Sequence, residues 1–489
     1  MTLLREGTHD RRNAGGRVVP FSFPAAMSIF PRLKKALQRQ GIHVDRQAGI
    51  YHLRNERSQA SVLLPDALPL EEKAVRQLLA FAAVRSPDGH HGVCKACATP
   101  DFHPGGVAPV GSIVATDDAF VIPAAIGTDI NCGMRLVTTG LTRSALAPFE
   151  TALVERLTRA ILADRRDVPV AGDAFRALFD AGPAAFVDRV ARQGLWQHVD
   201  RDRLIDELSA CIGLDRFDGS AKYAPDAHVG SREVFRDPCL GTPGSGNHFV
   251  ELQVVDAVFD RHAAYRAGLA KDDVVVMIHS GSRDVGFYVG RRWMDRARAA
   301  WPAGVRHPES GLYGLSGELA HEYLVAMGTA ARYAWLNRVV LAEMVRQELA
   351  ELTGETRSAL VVDVPHNVVL RENGMNVHRK GATPARDGDL ALIPGSMGDA
   401  SFLAVGLGHP DWLWSCSHGA GRSVRRQAVR RMRTEQAPGT WRCVTLRDER
   451  RIEEAPEAYK PIGPVIDAQE QAGLIRSAVR LKPWITFKA

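Results

Sequence analysis

The sequence predicts an α+β fold, with a single large catalytic domain that carries helical insertions and a short N-terminal extension. Three observations carry this expectation. Short apolar runs recur along the chain and end in Gly, Ser, Asn or His; two long stretches instead repeat apolar residues every three or four positions; and no internal repeat or low-complexity tract divides them. A chain of 489 residues that is 45% hydrophobic, 24% charged and 7% aromatic has the make-up of a globular enzyme, which excludes disordered and collagenous classes.

In chain order, residues 1–27 are polar, rich in Gly and Arg and without period, and are expected to form a flexible arm. Residues 28–64 read as a small appendage, in which a helical IFPRLKKALQRQG leads into a hairpin of YHLRN and SVLLP. The main domain is expected over residues 65–489. Its strands are SIVAT, AFVIPAA, FVELQVV, DVVVMIHSG, SALVVDV and LALIPGS, each a short apolar run suited to a buried position. A helical insertion is expected at about 141–218, where ALVERLTRAIL and AFVDRVARQGLWQHV show helical spacing, and a second helical stretch from about Glu318 to Leu352. Polar residues at the ends of so many strands point to one site assembled from distant segments.

Seven cysteines, Cys94, Cys97, Cys132, Cys211, Cys239, Cys416 and Cys443, are too few and odd in number for a secreted disulfide framework, so a reducing, cytoplasmic setting is expected. The first residues place Arg and Asp where a secretory leader needs an apolar core, and no run of 18 apolar residues occurs, so no membrane partner is expected. Sixty-two Lys and Arg against 56 Asp and Glu give a net charge of +6, compatible with a polyanionic substrate but a weak signal alone. The positive charge is concentrated in Arg422, Arg425, Arg426, Arg430, Arg431 and Arg433. Cys94 and Cys97 form a CxxC without a second ligand pair, and read as ordinary thiols; Trp412 and Trp414 read as core residues.

Four histidines stand beside Gly, Ser or Asn at strand ends: His248 in GTPGSGNHFVELQ, His279 in HSGSRDVG, His366 in HNVV and His418 in SHGAGR. With Asp129 and Cys132 of IGTDINCGM they supply carboxylate, thiolate and imidazole donors, a set that suits a late first-row divalent ion. The spacing does not choose among zinc, cobalt and manganese. The glycine-rich pieces GTPGSGN, HSGSRDVG, PGSMGD and HGAGR let backbone N–H groups approach phosphate oxygens, with Arg283 or Arg422 beside them, and no P-loop pattern occurs.

These segments, with ATPDFHPG, VHRKGATPARDG and AYK, follow one another in an order that strongly resembles the RtcB family of RNA-splicing ligases, from about residue 65 to the C-terminus. The resemblance implies two Mn2+ ions held by Asp129, Cys132, His248, His279 and His366, with Cys132 bridging. It implies GTP as cofactor, bound through Asn247, Glu251, His366, Asn367, Pro394, Gly395, Ser396, Met397, Ser401, the Gly419, Ala420 and Gly421 backbone and Lys488. His418 matches the histidine that becomes guanylylated, and Asp101 is placed to orient its ring.

The implied activity joins RNA 3′-phosphate or 2′,3′-cyclic phosphate ends to 5′-hydroxyl ends through an RNA(3′)pp(5′)G intermediate, in tRNA splicing or RNA repair. Broken RNA, such as tRNA, is then the partner; a monomer is expected, and the need for an archease-like activator stays open. Two other readings use the same residues: a metal-dependent phosphoesterase or nuclease, and a non-catalytic RNA-binding protein of the same fold. The chain departs from the family pattern at GVAPVG after DFHPG, at Asn131 and Asp284 where glycine is usual, and at the terminal Ala489.

Overall fold

The computed structural model describes residues 26–230, 233–424, 429 and 441–489. Residues 1–25 of the expected arm, and Arg425, Arg426, Arg430, Arg431 and Arg433 of the basic run, lie outside the described residues.

Two sheets organise the chain. The eight-stranded sheet runs, from edge to edge, Leu360–Pro365, Gly133–Thr142, Asp273–Ser280, Phe249–Val258, Ile475–Lys488, Ser401–Gly406 and Leu390–Ile393, with Arg442–Thr445 pairing parallel to Ile475–Lys488. Alternation along its strands feeds two cores. Val274, Val276 and Ile278 enter one, and Val275 and Met277 enter the other, because successive side chains leave opposite faces of a strand. That is why DVVVMIHSG is apolar throughout.

The seven-stranded sheet has the order His43–Gln47, Ile50–Arg54, Gln59–Leu63, Val93–His103, Val110–Asp117, Met375–Lys380 and Asn367–Glu372. The hairpin expected in the appendage is present as Ile50–Arg54 paired with Gln59–Leu63, and it continues into the main sheet through a parallel pairing of Gln59–Leu63 with Val93–His103. The appendage is therefore an edge of the sheet.

Helices cover the first core. The stretch from Glu318 to Leu352 is one helix, Gly317–Thr353, 37 residues long. Its middle turns are buried on nearly every side, so its apolar residues do not confine themselves to one stripe. Segments of the 141–218 region, among them Glu150–Leu157, Gly172–Ala181 and Pro183–Arg189, pack on it in the same core rather than as a separate body. Among the described residues no helix is long and apolar enough to cross a membrane.

AFVIPAA differs from the expected strand. Only Phe120–Val121 is extended, and Pro123–Ile126 turns into a short helix. Proline presets φ for a first helical turn and lacks the N–H that a central strand requires.

Candidate active site

The eight-stranded sheet gathers its polar strand ends at one place. Cys132 immediately precedes Gly133–Thr142, and His248 precedes Phe249–Val258. His279 is the second-last residue of Asp273–Ser280, and the pairing sets Phe249 opposite His279, and His279 opposite Met134. His366 sits between Leu360–Pro365 and Asn367–Glu372, where the chain passes from one sheet to the other. Its backbone N–H donates to Cys132 O at 2.8 Å.

The side-chain donors converge. Cys132 Sγ lies 3.1 Å from His248 Nε2 and 3.2 Å from His279 Nε2. His248 Nε2 is 3.0 Å from Asp129 Oδ2, and His279 Nε2 is 3.2 Å from His366 Nε2. Two donor triads result, Asp129–Cys132–His248 and Cys132–His279–His366, and Cys132 belongs to both. The second-side nitrogens fix the tautomers: His248 Nδ1–H donates to Pro243 O at 2.9 Å and His279 Nδ1–H to Asn247 O at 3.1 Å. Each Nε2 thus keeps its lone pair for a cation. Gly281 keeps the approach open, since a Cβ there would stand 2.1 Å from Asp129 Oδ1.

Burial disfavours the charged forms of two of these rings and of the thiol. It pushes the His279 and His366 rings well below the ordinary imidazole value, with neighbouring histidines adding to the effect. Burial, and then the Asp129 carboxylate, push the Cys132 thiol well above its ordinary value. A divalent ion reverses that balance for a thiol it binds. Three imidazoles, one sulfur common to both triads and one carboxylate form a donor set that suits two late first-row divalent ions, with three protein donors in each triad.

His418 extends the row of rings: centroids are 4.9 Å apart for His248–His279, 5.0 Å for His279–His366 and 4.9 Å for His366–His418. It follows the strand Ser415–Ser417, which pairs with Ala382–Pro384. Its Nδ1 is 2.5 Å from Asp101 Oδ2, and its backbone N–H donates to the same oxygen at 3.3 Å. Asp101 lies where the register of Val93–His103 shifts against Val110–Asp117. Burial alone would raise the Asp101 carboxyl, but the His418 ring, the Thr99 hydroxyl and Lys460 outweigh it and hold it below the usual carboxylate value. Gly421, at φ +76°, lets the HGAGR turn pass over Asp101, whose carbonyl oxygen would be 2.4 Å from a Cβ there.

A cleft of about 620 Å³ opens onto both centres. Asp129, Cys132, Asn247, Glu251, His279, His366, Asn367, Pro394, Gly395, Ser396, Met397, His418, Gly419, Ala420, Gly421 and Lys488 all line it. Ser401 does not. It is buried beneath the PGSMG loop, where its Oγ accepts from Gln253 Nε2 at 3.0 Å and from Gly395 N at 3.4 Å. The same Gln253 amide donates to Glu251 Oε1 at 2.5 Å, and burial pushes the Glu251 carboxyl up to about 7. Lys488 is buried with its Nζ 3.9 Å from Glu454 Oε2.

The cleft also holds residues that the strand-end pattern did not single out. Lys380, half-buried with its Nζ donating to Ile126 O at 2.9 Å, lines the wall beside Asp129 and Cys132. Lys460 donates to Pro100 O and Phe102 O at 3.1 and 2.6 Å, gripping the backbone on either side of Asp101. Both lie within glycine- or tyrosine-flanked blocks, the only local signal they carry. Asn131 explains one departure: its φ of +52° is a conformation that favours glycine and that asparagine tolerates, and its Nδ2 donates to Ala331 O at 2.8 Å. Cys97 is buried with its thiol pushed up to about 12, and Trp412 is buried in the core, as expected of structural residues.

Fold and site thus describe a buried, two-triad donor centre next to a carboxylate-held histidine, at the mouth of a cleft lined with glycine-rich turns. The family model for the tRNA-splicing ligase RtcB matches residues 82–489. The RNA-splicing ligase RtcB of Mycobacterium tuberculosis is 36% identical over 423 residues, covering 79% of this chain and 95% of that protein. The tRNA-splicing ligases RtcB of Pyrobaculum aerophilum and Thermococcus kodakarensis are each 33% identical, covering 78% of this chain and 85% of each relative. The chain belongs to the RtcB family.

Proposed function

We propose that this chain is a GTP- and manganese-dependent RNA ligase that joins 3′-phosphate or 2′,3′-cyclic phosphate ends to 5′-hydroxyl ends. The observation that carries the reading is the row of rings from the Cys132 centre to His418, with Asp101 on the far side of His418. With Nδ1–H given to Asp101, His418 keeps its Nε2 lone pair as the nucleophile. That nitrogen attacks the α-phosphorus of GTP; a P–N bond forms, the bond to pyrophosphate breaks, and Asp101 stabilises the positive charge that develops on the ring.

The guanylyl group then passes to an RNA 3′-phosphate oxygen, which frees His418. The 5′-hydroxyl of the second end attacks that activated phosphorus and GMP leaves. A 2′,3′-cyclic end is first opened by water to the 3′-phosphate. Two manganese ions on Asp129, Cys132, His248, His279 and His366 would neutralise phosphate charge and help pyrophosphate leave. The Gly419–Gly421 and Gly395–Ser396 backbones suit phosphate oxygens, and Asn247, Glu251 and Lys488 suit the nucleotide. The relatives in Mycobacterium tuberculosis and Pyrobaculum aerophilum, an RNA-splicing and a tRNA-splicing ligase, support the ligase reading. A reducing cytoplasm suits a centre built on a free thiol.

Intact mass after incubation with GTP and manganese tests the first step. A GMP-sized increase is expected, absent in His418→Ala and absent without manganese. A mass that stays unchanged in reducing buffer overturns the autonomous activation step.

A further inference from the structure

The long helix Gly317–Thr353 contributes no candidate ligand, yet two adjacent side chains in its middle reach every loop that carries one. Asn337 and Arg338 are both buried, at 0% and 1% exposure. Arg338 NH1 donates to Asn131 O at 2.8 Å, next to Cys132, and to Ser280 O at 3.1 Å, next to His279. The rest of its guanidinium forks onto Asp363, Nε at 3.0 Å to Oδ2 and NH2 at 2.7 Å to Oδ1, three residues before His366. Asn337 Nδ2 donates to Ser280 Oγ at 2.9 Å and to Thr242 O at 3.1 Å, and its Oδ1 accepts from Gly241 N at 2.7 Å. Ser280 Oγ in turn donates to Pro243 O at 2.6 Å, the carbonyl that also takes the His248 Nδ1 proton.

We propose that Asn337 and Arg338 are positioning residues for the metal centre: one turn of the helix sets the spacing of the 129–132, 241–248, 279–281 and 363–366 segments, so that their five donors stand ready for two cations. The inference rests on the Cys132-centred metal reading above. The chemistry of each residue fits the task. Arg338 is a cation near a site meant for cations, and Asp363 cancels that charge in a buried, hydrogen-bonded pair. Its planar fork serves three backbone or carboxylate directions at once, which a lysine ammonium cannot reproduce. Gly133 completes the fit, since a Cβ there would press 3.2 Å from the guanidinium carbon. Outer hydrogen-bond partners that hold metal-ligand side chains are commonly worth roughly 10–100-fold in metal affinity.

The matched control lies two turns further along the same helix. Arg346 is equally enclosed and paired, to Glu343 at 2.6 Å and Glu207 at 2.5 Å, but it touches none of the ligand-bearing segments. The experiment is titration of the full chain with Co2+, following the thiolate-to-cobalt absorption in the near ultraviolet, for the unsubstituted chain, Arg338→Lys, Asn337→Ser and Arg346→Lys. Metal-free thermal unfolding is recorded for all four. Both arginine variants are expected to lose stability, but only Arg338→Lys and Asn337→Ser should lose Co2+ affinity, by roughly 10–100-fold.

Equal cobalt affinity in Arg338→Lys and Arg346→Lys would overturn the proposal. If Arg338→Lys does not fold, Asn337→Ser against Arg346→Lys decides in the same way. No cobalt–thiolate absorption in the unsubstituted chain would instead overturn the metal centre itself, and this inference with it.

Discussion

The two histidine groups of the cleft are buried to a similar degree and are balanced differently. The Cys132 cluster has one carboxylate among three imidazoles and a thiol; burial drives Cys132, His279 and His366 toward their neutral forms, while the His248 ring holds the Asp129 carboxyl well below its ordinary value against burial. His418 has its own counter-charge, Asp101, which the ring, Thr99 and Lys460 keep ionised against burial. One group keeps most of its donors neutral and so suits charge brought from outside, while in the other the single ring is matched by a carboxylate built into the fold. That difference separates a place that holds ions from a side chain that does covalent work, although both are written in the sequence as a histidine beside a small residue.

Breaking the cluster should have the larger effect. Cys132→Ser removes the donor common to both triads, and bound manganese, counted by atomic emission, is expected to fall well below that of the parent chain. Losing several kcal/mol of charge stabilisation would slow adduct formation by roughly 10³-fold. Asp101→Asn is the corresponding cut at His418. The ring keeps a hydrogen-bond partner but loses the negative charge, so metal content should be unchanged while adduct formation slows by roughly 100-fold. Equal loss of metal in both variants would show that the two groups are a single unit.

The smallest effect sharpens the comparison through pH. The Asp101 carboxyl is held below its ordinary value of 3.8, so its contribution to stability is complete above that value and is lost as pH falls toward the lower folded one. The thermal midpoint of the parent chain should therefore drop more steeply below about pH 4 than that of Asp101→Asn. Parallel curves would mean that the carboxylate is not favoured by folding.

Much of the candidate site was readable before any coordinates. Asp129, Cys132, His248, His279, His366 and His418 all sit where an apolar run meets Gly, Ser or Asn, and that pattern survives in the linear chain because strand ends are local. Ser401 shows the limit of reading along a motif: it shares the IPGSMGDAS block with Ser396, yet one lines the cleft and the other lies beneath it. Asn337 and Arg338 left no local mark at all. Inside HEYLVAMGTAARYAWLNRVVLAEMVRQELAEL they read as polar positions on an ordinary helix, since nothing nearby in sequence reveals that this helix is buried all round.

The sequence by itself therefore determined the α+β class, the order of short buried strands and long helix, and the residue types available for chemistry, because hydrophobic period and the chemistry of donors are properties of the chain's own residues. Only the tertiary structure decided which donors meet. The 3.1–3.2 Å approaches around Cys132 join residues more than a hundred positions apart, and the turn at His366 brings the two sheets together. Such distances depend on strand register, on the passage between sheets and on a buried helix pressed behind the loops, and long-range packing of this kind leaves no trace in any one segment.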